Sequence, residues 1–121
     1  NTAGSSTGGS THGVQMKTVG NLVIALQVTP ARVGTTNQVI ITLKDTSGNP
    51  ISNAHVQINT NMQLMDMGQA SKDVQGQSGT YTASFIPNEA FSMPGVWVIS
   101  LSIQQPGQAL TQAQFFMTFT A

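Results

Sequence analysis

Apolar and polar residues alternate with a period of two through most of the chain, the pattern of strands that bury one face. Leu22, Ile24, Leu26 and Val28 share a face before Pro30 ends the run. Val39, Ile41 and Leu43 mark a second strand, closed by the turn Asp45-Thr46-Ser47-Gly48-Asn49-Pro50. Val56 and Ile58 mark a third, running to about Thr60, and a weaker pattern near Ala70 to Val74 suggests a short fourth. Tyr81, Ala83 and Phe85 give a fifth; Trp97, Ile99, Leu101 and Ile103 a sixth; Ala113, Phe115, Met117 and Phe119 a seventh. No helical period competes. Short strands separated by Gly, Pro and Asn turns predict an all-β fold, an immunoglobulin-like antiparallel β-sandwich of about seven strands with Trp97 between its sheets.

If each strand runs opposite to its predecessor, successive connections alternate between the two ends of the sandwich. The connections 30–36, 61–69 and 87–95 then share one pole, and the turns 45–53, 75–79 and 105–109 share the other. Val19-Gly20-Asn21 reads as a tight turn, so His12 to Thr18 is expected to fold back on Leu22 to Val28 as an extra strand. A turn centred there sets His12 opposite Gln27 or Val28, close to the first pole.

Composition narrows the chemistry. The 121 residues suffice for one self-supporting core. Only 7% are charged, four basic against four acidic, so no basic field exists to hold nucleic acid or an anionic membrane. The absence of cysteine excludes disulfides, zinc-thiolate sites and thiol catalysis. Residues 1–11 are rich in Gly, Ser and Thr and read as a flexible linker to an anchor, ahead of a domain over 12–121. With no visible signal peptide, the sequence reads as a mature or trimmed form. An extracytoplasmic location, periplasmic or at the cell surface, suits this composition.

Four of the six methionines fall in Met62-Gln63-Leu64-Met65-Asp66-Met67-Gly68 and Phe91-Ser92-Met93-Pro94-Gly95-Val96-Trp97. Thioether sulfur on a loop is a soft, uncharged ligand that suits Cu(I) better than other common metals. Met65 and Met67, two apart with polar neighbours, are the leading candidates. Met62 continues the inward parity of Val56 and Ile58, and reads either as a ligand or as a cap on the core. Met93 is either a ligand or a lid over Trp97. His12 is a candidate nitrogen donor, while His55 and Met16 are weaker ones. Asp66 fits a turn role, because hard carboxylate oxygen poorly suits a soft cation. A Cu(II) site using His12 with His55 or the amino terminus ranks below Cu(I), since the strongest cluster is sulfur. Two histidines and no cysteine argue against a closed zinc site, and the acids are too scattered for calcium. No catalytic arrangement stands out, so the chain is not expected to be an enzyme.

Met62-Gln63-Leu64-Met65-Asp66-Met67-Gly68 resembles the Met-Pro-x-Met-x-Met motif of the YtkA-like domains, with Gln63 in place of the usual proline. Gly79-Thr80-Tyr81 and Met93-Pro94-Gly95-Val96-Trp97 resemble their Gly-x-Tyr and Met-x-Gly-x-Trp elements. Gly34-x-x-Asn37 and the 45–50 turn fit too, though many bacterial immunoglobulin-like modules share them. The resemblance covers roughly residues 21 to 120. It implies an extracytoplasmic domain associated with copper handling, often a lipoprotein, with relatives in metal-efflux adaptors and near cytochrome oxidase assembly genes. The expected function is Cu(I) binding for chaperoning, storage or sensing, with a copper-transfer or efflux protein as partner. The alternative is a structural or adhesive module whose methionines form a protein-binding surface.

Overall fold

Each alternating run of the sequence is a strand of the folded chain. The structure is a computed structural model, and its described residues are 14–62, 70–76, 78–87 and 90–119. The expected linker, His12, Met65 and Met67 lie outside them. The strands are β1 (Gln15–Val19), β2 (Leu22–Thr29), β3 (Asn37–Asp45), β4 (His55–Met62), β5 (Ala70–Gln75), β6 (Thr80–Phe85), β7 (Gly95–Gln104) and β8 (Thr111–Phe119). One sheet has the order β1-β2-β3-β6 and the other β5-β4-β7-β8, with every neighbouring pair antiparallel. In a constant-type immunoglobulin layout the strand equivalent to β5 would sit beside β6. Here it crosses to the other sheet and pairs with β4.

The extra amino-terminal strand is present, but its register is one or two residues off the expected pairing. Gln15 lies opposite Leu26 and Val19 opposite Leu22, so the turn centres between Gly20 and Asn21 rather than on Gly20. Gly20 has φ +61, and a two-residue loop led by such a glycine matches the right-handed twist of its flanking strands. The weak pattern at Ala70 is a full edge strand. Its alternation is faint because only its fringe, through Val74, packs against the core.

The inward side chains of both sheets form one continuous core, with Ile24, Ile41, Ile58, Tyr81, Trp97, Ile99 and Phe115 almost or wholly removed from water. Both seams between the sheets are closed by side chains of edge strands. Gln15 Nε2 donates to the Phe116 carbonyl at 2.9 Å. Lys17 Nζ donates to the Gln114 carbonyl and sits 5.2 Å from the centre of the Phe115 ring. On the opposite seam Lys72 Nζ donates to the Ser84 carbonyl and lies 5.0 Å from the Phe85 ring centre.

The antiparallel order gathers the connections as the alternation predicts. β2 ends, β3 begins, β4 ends, β5 begins, β6 ends and β7 begins at one pole. The far pole carries the 45–50 turn, where Asp45 Oδ1 accepts the amides of Ser47 and Asn49, both at 2.9 Å. There Tyr81 donates its hydroxyl to the Ile51 carbonyl at 2.7 Å and accepts the Ala54 amide at 3.1 Å. Gly79, with φ +82, passes so close to Pro50 that a Cβ would lie 2.8 Å from the proline Cβ. The Gly-x-Tyr element is therefore a closure of the far pole.

Candidate metal centre

The methionine pole rests on an aromatic floor. Phe91, on the connection between β6 and β7, stacks on Phe119 with centroids 4.1 Å apart and planes 12° apart. It meets Phe85 edge-on at 5.8 Å and Trp97 edge-on at 5.3 Å. Phe85 belongs to the first sheet, Trp97 and Phe119 to the second, so Phe91 plugs the open end of the sandwich. It does so with φ +59, an uncommon backbone for a bulky residue, held here by total burial of the ring.

Met62 packs at this floor, and the Met93 backbone is bonded to it. Met62 ends β4 directly opposite Trp97, half-buried and packed against the core. Its terminal methyl lies over Gly95, where an added Cβ would come within 2.7 Å of Met62 Cε. Gly95 has φ +136, so both its conformation and the covering thioether favour glycine. Met93 is also half-buried, and its carbonyl accepts Trp97 Nε1–H at 3.0 Å. That bond ties the Met93 backbone to the indole that faces Met62 across the strand pair. Thr60, one step below Met62 on the inward face, is 1% exposed, and its Oγ1 has no partner among the described residues.

The neighbouring connection 30–36 is fixed by Asn37, which is wholly buried. Asn37 Nδ2 donates to the carbonyls of Arg32 at 2.9 Å and Thr35 at 3.2 Å, while Oδ1 accepts the Arg32 amide at 3.0 Å. The Gly34-x-x-Asn37 spacing thus encodes a clasp, with Gly34 at φ +84 making the turn.

The expected ligands divide by position. Met62 and Met93 come to the same pole, where β4 ends and β5 begins. Met65, Met67 and His12 lie outside the described residues. His55 is exposed at the far pole, its Nε2 3.6 Å from Asp73 Oδ1. Met16 points outward from β1, 65% exposed, and Met117 is buried in the core. Among the described residues, no three His, Cys, Asp or Glu side chains group together. Sequence reasoning missed Phe91, because a single aromatic on a loop has no period to reveal it. It also missed the Trp97 hydrogen bond, for which no sequence signal exists.

The sequence matches the family of YtkA-like domains over residues 16–102. No curated protein matches it. A similar solved structure is the crystal structure of the soluble domain of PmoD from Methylocystis sp. ATCC 49242 (Rockwell), with a TM-score of 0.58 over 86% of this chain and 96% of that one. At 9% sequence identity the likeness is one of fold.

Proposed function

We infer that this chain, which belongs to the YtkA-like family, is a copper-associated extracytoplasmic domain that binds Cu(I) through methionine thioethers at the pole above Phe91. The observation that carries the reading is that Met62, packed on the core opposite Trp97, and Met93, whose carbonyl is bonded to the Trp97 indole, share one pole at the end of β4, the strand that precedes Met65 and Met67 in the sequence. Thioethers are neutral and soft, and a half-buried setting costs them little, whereas a carboxylate there would require a paired charge. Copper would supply a soft monovalent cation; Met65 and Met67, with Met62 and Met93, are the residues proposed to hold it. His12 is the proposed nitrogen donor.

Binding by sulfur that never carries a proton releases none, so such a domain works in acidic surroundings. Sulfoxidation of the same sulfurs would abolish the site. The role that follows is carriage, storage or sensing of Cu(I), without catalysis, alongside an efflux or oxidase-assembly partner and with a possible lipid tether. The test is Cu(I) titration of the purified domain against a competing chelator. Saturable binding of Cu(I), weakened in the Met62→Leu/Met93→Leu variant with an unchanged thermal midpoint, supports the reading. No binding by the parent domain overturns it.

A further inference from the structure

The outer face of the second sheet carries a trough along β7. Three cross-strand rows define it. Asn59, Ser100 and Gln114 form one, Gln57, Ser102 and Gln112 the next, and Asn61, Val98 and Phe116 the row nearest the methionine pole. The central strand presents small serines where both flanking strands present long amides, so the face is concave rather than flat. Depressions of about 480 and 410 Å³ share Asn59, Ser100 and Gln114. A further one of about 450 Å³ shares Ser102 and Gln112 with the first. They join end to end from Val98 to Gln104, a length of about 20 Å at the rise of a strand.

We propose that this trough binds a neutral, extended polysaccharide strand. The three rows contain no charged side chain, which disfavours ionic ligands. Lys17, at one rim, is already committed to the Gln114 carbonyl, and Asp73, at the far end, faces His55. Each amide offers a donor and an acceptor side by side, the complement of vicinal hydroxyls on a sugar ring. The Asn59 carbonyl oxygen accepts the Ser71 hydroxyl, which fixes that amide and leaves its NH2 to donate. Phe116 is 47% exposed beside Val98 and supplies an apolar surface for the C–H face of a sugar. A peptide strand is the poorer occupant. Peptides add to sheets through backbone bonds at an edge, and β7 is a central strand whose backbone is already shared between β4 and β8. Met62, a proposed copper ligand, lines the depression nearest the pole, but the three rows and every residue substituted in the test lie outside the proposed donor set.

Protein-observed NMR with cellohexaose, chitohexaose and maltohexaose tests it. At least one of the three should shift the side-chain amides of Gln57, Asn59, Gln112 and Gln114 saturably at millimolar concentration. Gln112→Ala/Gln114→Ala and Phe116→Ala should each weaken that binding about tenfold or more. Both changes face solvent, so an unchanged thermal midpoint is the expected control. The proposal is overturned by no saturable shift with any of the three sugars, or by full affinity in the double variant. Binding of hexagalacturonate or of an uncharged Gly/Ser peptide as tightly as the best neutral sugar also overturns it.

Discussion

Trp97 joins stability to site geometry. Its ring is buried between the sheets, edge-on to Phe91, and its Nε1–H holds the Met93 carbonyl. Trp97→Ala should therefore cost about 3–5 kcal/mol, the range for large aromatic truncations in packed cores. A thermal midpoint equal to the parent's would contradict that. The methionines behave differently, because leucine nearly conserves their volume and removes only the sulfur. Met65→Leu/Met67→Leu should keep the parent stability and lose most Cu(I) affinity in a competition titration. Asp45 gives the sign of one acid response. Its carboxylate is held below its ordinary pKa of 3.8, first by the Asn49 amide and then by the Asn49 side chain. A lowered folded-state pKa means the stabilisation is complete above the unfolded value and disappears as pH falls through the folded one. Asp45→Asn should remove that part of the acid response, visible in denaturant midpoints measured below about pH 4.

At the scale of elements, what was legible depended on whether burial imposed a period. β2, β3, β6, β7 and β8 alternate strictly, because one face of each meets the core. β5 carries polar residues on both sides of Val74, so its length was not legible. The plug residue Phe91 and the strained backbone beneath it belong to a connection, where nothing repeats. Asn37 was legible only as a spacing, yet it supports the whole 30–36 connection with three hydrogen bonds. Asn37→Ala would strand the Arg32 amide and two carbonyls, with a cost of about 1–3 kcal/mol for each that stays dry. Faster hydrogen exchange at Arg32 than at the neighbouring β3 amides would locate the damage. The lysines on β1 and β5 illustrate another feature that no period reports. Lys17 and Lys72 tie the sheets together across the seams and blunt the edges against pairing with other chains.

Across the whole molecule, topology sorts the candidate donors into two poles. β4 runs from the exposed His55 at one end to Met62 at the other, so His55 and Met62 sit at opposite ends of one strand. β1 begins at Gln15, opposite Leu26, toward the end of β2 at the methionine pole. His12, three residues before Gln15, is therefore the imidazole to test there, with His55 as its control. The imidazole proton competes with a metal, whereas a thioether has none to lose. If His12 is a ligand, Cu(I) affinity falls as pH drops below roughly 6.5, the reference histidine value. His12→Ala should then weaken binding and flatten that pH response, while His55→Ala changes neither. Removal of residues 1–11 should leave affinity intact, because that segment holds none of the proposed donors. A parent domain whose Cu(I) affinity is level from pH 5 to 8, with no loss in His12→Ala, would assign the whole donor set to methionine sulfur.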